Sequence, residues 1–230
     1  MLIHGLQKLT LLDYPGKIAC TVFFGGCNFR CPFCHNAELL DASAPAVMDD
    51  GELLRFLRTR QSLLEGVCLT GGEPLLRGDL PVLLEQIKSL GFSVKLDTNG
   101  SFPEKLRQLV ASGLVDYVAM DVKNSPALYA ETVGLASVEL TSIRRSIDFL
   151  LENRADYEFR TTVVREFHTV QSLAELSQWL TGAKRYYLQG FVDRDTVLRP
   201  GLHALSRPEM EALAEAARRW LPEVSLRGVE

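Results

Sequence analysis

Six short runs rich in Val, Ile, Phe and Tyr alternate with amphipathic segments along this chain, and that alternation leaves few architectures open. The runs cover residues 17–24, 67–70, 93–97, 117–122, 157–164 and 185–189. Each is short and unbroken, as expected of strands covered on both faces. The helices between them have legible ends. Asp79 is placed to cap a helix carrying Leu80, Leu83, Leu84, Ile87 and Leu90 on one stripe, and Gly91 to close it in a left-handed conformation. Ser101 with Glu104, Ser172 with Glu175 and Ser206 with Glu209 have capping-box spacing, and Pro103 and Pro208 fall in the first turn. Parallel strands need crossovers and helices supply them, so the expected fold is α/β on a parallel sheet. Periodicity leaves open whether that sheet is doubly wound or a partly closed barrel. In both, functional residues gather at the carboxyl ends of the strands. That rule selects residues 25–36, TGGEP, DTNG, MDVK and the strand FRTTVV.

A chain of 230 residues with 47% hydrophobic content is expected to be one domain over 1–230. It divides into an N-terminal extension (1–16), a core of β/α repeats (17–191), and a C-terminal helix and short strand (192–230). No run approaches a membrane span, and MLIHGLQKLT has no signal-peptide pattern. Five cysteines, three of them clustered, suit a reducing compartment better than a disulfide framework, so a cytoplasmic location is expected. A net charge of −4 without a basic stripe argues against a nucleic-acid partner, and no membrane partner is expected.

Cys27, Cys31 and Cys34 lie in GGCNFRCPFCHN with no fourth cysteine nearby. Structural zinc wants four protein ligands, whereas three thiolates suit a four-iron cluster with one iron left open. Cys31 and Cys34 also read as a thioredoxin-like dithiol, which needs no third cysteine and opens a helix in a smaller domain. A zinc knuckle would need His35, Cys20 or Cys68 as fourth ligand, and His35 is poorly placed beside Cys34. Cys20 and Cys68 sit in buried-strand patterns and read as core.

The C-x3-C-x2-C spacing, with Phe33 before the last cysteine and GGEP following at 71–74, resembles the radical S-adenosylmethionine superfamily. More narrowly, GLQKLTLLDYPGKIA, GCNFRCPFCHN, KLDTNG, DYVAMDVK and FRTTVV resemble the activating proteins of anaerobic ribonucleoside-triphosphate reductase and, more distantly, pyruvate formate-lyase activating enzyme. The similarity runs from the N-terminus to VSLRGVE. It implies a partial (β/α)6 TIM-type barrel. Cys27, Cys31 and Cys34 would hold a 4Fe-4S cluster, and the cofactor S-adenosylmethionine would occupy the open iron. Gly71, Gly72 and Glu73 would line its amino group, Phe33 its adenine, and Arg160 its carboxylate or ribose. Asn99 and Lys123 would face the ribose or a substrate peptide, and Gln189 would contact ligand. Asp97, Thr98, Asp121 and the Met120 carbonyl would form a monovalent cation site. Read without the resemblance, Arg160 calls for a carboxylate partner, such as an internal Asp, and the Asp97–Asp121 pair for a cation such as Lys123.

The implied activity is formation of a glycyl radical on a partner enzyme, anaerobic ribonucleotide reductase or a relative, with a reductant such as flavodoxin or ferredoxin. The chain has no second cysteine group for auxiliary clusters. With few insertions, such a barrel keeps a wide side opening, which favours a macromolecular substrate. After FRTTVV, Arg165, Glu166 and Phe167 stand where the relatives usually have proline and glycine; His168 reads as a surface residue and is left outside the catalytic set. Two other classes remain open: a radical enzyme acting on a small metabolite, and a non-catalytic metal-binding or redox module.

Overall fold

The computed structural model describes residues 2–229. Leu2–Ile3 (β1) pairs antiparallel with Met48–Asp49 (β4), while Gly5–Thr10 (β2) pairs antiparallel with Ala19–Phe24 (β3). The extension expected at 1–16 thus adds an edge strand to the main sheet. From β3 onward every neighbour is parallel: Gly66–Gly71 (β5), Ser93–Thr98 (β6), Tyr117–Asp121 (β7), Asp156–Val163 (β8), Tyr186–Gly190 (β9) and Val224–Arg227 (β10) follow in sequence order across the sheet. The sheet ends on β2 and β10, so the barrel is partial.

The helices between the strands are Asp50–Arg58 (α1), Leu80–Ser89 (α2), Pro103–Ala111 (α3), the short Tyr129–Thr132 (α4), Leu140–Leu151 (α5), Val170–Trp179 (α6) and Arg207–Arg218 (α7). None is long and apolar enough to cross a membrane.

Two helix starts differ from expectation. Ser101 does not cap α3: its hydroxyl donates to Asn99 Oδ1. α6 begins earlier than Ser172, because Thr169 caps it and Ser172 is the reciprocal partner. Asp79 stands at the N-cap of α2 but gives its carboxylate to Arg77, at 2.7 Å, instead of to a backbone N–H. Ser206 and Glu209 form their box as expected, and Gly91 is left-handed at φ 88°.

Alternation along each strand separates two interiors. Val22, Leu69, Leu96, Met120, Phe159 and Leu188 point outward into the apolar layer beneath the helices. The inward face is polar. At its amino end Tyr14, Ala19, Cys68 and Tyr117 form a plug, with Tyr14 closing over Gly66. Above the plug come Glu158, ion-paired with Arg227, and then Lys95, Asp97, Arg160 and Asp121, joined to one another by ion pairs. The strands therefore carry charge toward the carboxyl end, where the cleft opens.

Candidate active site

The cysteine loop leaves β3 and is clamped to the loop after β5. Gly72 N–H donates to the Phe24 carbonyl at 2.9 Å, and Glu73 N–H to the Gly26 carbonyl at 2.8 Å. A Cβ on Gly71, which lies at φ 116°, would meet the Phe24 carbonyl oxygen at 2.3 Å; one on Gly72 would meet that of Gly26 at 2.0 Å. Glycine is required here by close approach of two backbones.

Above this clamp lies a cleft of about 170 Å3. Cys27, Cys31 and Cys34 line it together, with Phe33 on the same loop. Opposite stand Gly71 and Gly72, then Asp97, Thr98 and Asn99 from the end of β6, then Asp121 and Lys123 from the end of β7. Among the described residues no three His, Cys, Asp or Glu side chains converge to hold one metal ion. Burial pushes the Cys31 thiol up to about 12 and raises Cys27 and Cys34 as well. As free thiols they are protonated; a bound metal centre would deprotonate them outright. Phe29 N–H approaches Cys27 Sγ at 3.4 Å.

Three expected residues are placed differently. Glu73 is buried away from the cleft surface, and its carboxylate accepts from Leu75 N–H, Thr98 Oγ1 and Asn99 N–H at 3.1, 2.9 and 2.7 Å. Its oxygens are spent on tying the β5 loop to the β6 loop, so it is a positioning residue. Arg160 has internal partners, donating from Nε to Asp121 at 2.8 Å and from Nη1 to Asp97 at 3.3 Å. The Met120 side chain packs outward at Gly100, and the expectation for this residue concerned only its carbonyl. Gln189 is paired in the sheet beside Thr162, which lines the cleft, but does not line it itself.

His168 is buried, contrary to the surface reading. Its Nδ1 accepts from Val164 N–H at 3.0 Å and its Nε2 donates to the Lys123 carbonyl at 2.8 Å, so it staples the ends of β7 and β8 together. Burial lowers its pKa. Phe33 packs against it and Phe167, with ring centroids 6.4 and 5.8 Å away. The residues 165–169 thereby support the cysteine loop from behind.

The sequence reading did not assign three cleft-side residues. Asn36 donates to the Gly71 carbonyl at 3.3 Å, and Asn28 accepts from Asn99 at 2.9 Å. His35 stacks on Phe191 and bonds the Val192 carbonyl at 2.7 Å. The segment after β9 then returns across the loop, with Leu198 N–H on the Cys34 carbonyl and Arg199 N–H on that of Pro32. Only the polar residues beside the cysteines, Asn28, His35 and Asn36, signalled these contacts in the sequence.

Residues 21–180 match the Radical SAM superfamily. The chain belongs to that superfamily. Radical SAM enzymes work with a 4Fe-4S cluster and S-adenosylmethionine, and the donor set here fits both: three thiols without a fourth protein ligand, a glycine-lined wall, and charged groups opposite. A Methanocaldococcus jannaschii protein provisionally named a glycyl-radical enzyme activating enzyme is 28% identical over 99% of this chain and 96% of its own. The pyruvate formate-lyase-activating enzyme of Listeria monocytogenes is 30% identical over 93% of each chain. Among solved structures, Streptococcus suis SuiB bound to S-adenosylmethionine superimposes with a TM-score of 0.70 at 15% identity, over 90% of this chain and 52% of that longer one. That likeness is one of fold.

Proposed function

We propose that this radical SAM protein is an activating enzyme that generates a glycyl radical on a partner enzyme, with anaerobic ribonucleoside-triphosphate reductase as the first candidate. The observation that carries the reading is the convergence of Cys27, Cys31 and Cys34 with the Gly71–Gly72 turn on one cleft, in a chain whose full-length relatives bear activating-enzyme names. The thiolates of Cys27, Cys31 and Cys34 would hold the cluster. When bound, the cluster and S-adenosylmethionine would supply one-electron radical chemistry directed at a glycine of the partner.

The chain's own groups hold, orient and exclude water. The carbonyls of Gly71 and Gly72 present a close polar wall to an ammonium, and Glu73 keeps that wall in register with Asn99. Asp97, Asp121, Lys123 and Arg160 set the charge opposite the cluster, Phe33 offers a flat apolar surface, and Asn99 is held by Asn28 for a polar contact. The electron comes from a flavodoxin- or ferredoxin-type donor.

The test is anaerobic reconstitution, followed by reduction with S-adenosylmethionine in the presence of the candidate reductase. A 5′-deoxyadenosine product and a doublet glycyl resonance on the reductase, absent when its glycine is replaced by alanine, is the expected result. Turnover of the cofactor with a small metabolite and with no glycyl partner would move the assignment to the metabolite class. A colourless zinc protein inert to the cofactor would remove it from catalysis.

A further inference from the structure

Asp97 and Asp121 end neighbouring strands with both side chains at the cleft. Two carboxylates so placed require positive charge between them, and the family resemblance implies an alkali cation there. The side chains do not fit one. Each of the four carboxylate oxygens already faces a cationic N–H donor: Lys95 Nζ on Asp97 Oδ1, the Arg160 guanidinium on Asp97 Oδ2 at 3.3 Å, Arg160 Nε on Asp121 Oδ1 at 2.8 Å, and Lys123 Nζ on Asp121 Oδ2 at 3.0 Å. The Thr98 hydroxyl is likewise spent, donating to Glu73 and accepting from Gly100 N–H. Three cations against two carboxylates leave a net charge of +1, so an added ion would enter a positive set with no free carboxylate oxygen.

Lys95 is the member that tips this balance. It lies inside the apolar strand β6 and is 1% exposed, where a lysine persists only when paired. Two residues from Asp97 on one strand, it shares that residue's face. Without it, Arg160 alone would neutralise Asp97 and would also be shared with Asp121.

We infer that the Lys95 ammonium, with Arg160 and Lys123, takes the place of a bound alkali cation at this end of the cleft. The net positive charge so fixed favours an anionic group of the cofactor. The inference rests on the cofactor assignment and is independent of which partner is activated.

The test measures S-adenosylmethionine affinity of the reconstituted protein by calorimetry, and by the change the cofactor causes in the resonance of the reduced cluster, at fixed ionic strength in tetramethylammonium, sodium or potassium chloride. The unaltered protein is expected to bind equally in all three. Lys95→Met is expected to bind on the order of tenfold more weakly in tetramethylammonium, the scale of losing one unit charge near a partly buried anionic group. Sodium or potassium should restore its binding. A saturable gain of affinity with potassium or sodium in the unaltered protein would overturn the inference, and this arm needs no variant to fold. So would a Lys95→Met protein that binds normally in tetramethylammonium, or one that no small cation rescues. A missing glycyl radical on the reductase leaves these readouts untouched and bears on the partner alone.

Discussion

At Gly72 the backbone leaves no room for a side chain, because the Gly26 carbonyl oxygen occupies the place of a Cβ. Gly72→Ala must push the cysteine loop away from β5, and a destabilisation of at least about 2 kcal/mol is expected with loss of bound iron. Gly78→Ala, where nothing lies within 4 Å, is the control and should change neither the thermal midpoint nor the iron content. Glu73 presents a different constraint. Burial pushes its carboxyl up to about 7, despite three hydrogen-bond donors. Its folded pKa thus exceeds the unfolded one, and between about pH 4.5 and 7 the folded chain keeps a proton that the unfolded chain has released. Stability should fall as pH rises through that window, by no more than about 3 kcal/mol from this group. Urea unfolding of the metal-free protein near both ends of the window, with Glu73→Gln alongside, checks the sign: the variant should lose that part of the slope, and equal slopes would refute the assignment.

Among the elements, α6 shows how neighbouring signals compete. Both Thr169–Ser172 and Ser172–Glu175 offer hydroxyl starts, and the chain uses the first because His168 is already pinned by Val164 and Lys123 immediately before it. Thr169→Ala should cost about 1 kcal/mol in chemical denaturation, the usual worth of a lost cap. Glu175→Ala, in the middle of the formed helix, should stay within about 0.5 kcal/mol. The segment after β9 is the other informative element. Two of its backbone N–H groups bond to carbonyls of the cysteine loop, so it acts as a strap over that loop. Nothing in its own composition, FVDRDTVLRPG, marks it as such.

Over the whole molecule, the polar lumen ties distant ends of the chain together. Glu158 on β8 is 1% exposed and accepts two bonds from Arg227 on β10, at 2.8 and 3.0 Å, and one from the Tyr117 hydroxyl. Arg227→Met leaves that carboxylate underpaired, and a loss of about 2–3 kcal/mol is expected, less than for a fully enclosed pair because Arg227 is a third exposed. Combining it with Glu158→Gln should recover part of the loss, which a double-mutant cycle measures; strict additivity would contradict a direct pair. The strands β3 and β5 to β9 were legible because short runs rich in β-branched and aromatic residues alternate with capped helical segments, and their ends already located the cysteines, the Gly71–Gly72 turn, Asp97 and Asp121 on one rim. Edge strand β2 was hidden, since its sequence GLQKLT is half exposed and weakly patterned. By itself, then, the sequence determined the parallel α/β order and the rim that gathers the three clustered cysteines, because those depend on local periodicity and on spacing along the chain. Only the tertiary structure decided which charges meet: that Arg160 and Lys95 satisfy the aspartates, that Glu73 turns inward, and that His168 is buried. Partner choice in a low-dielectric interior depends on distances between strands, and those exist only once the sheet has curled.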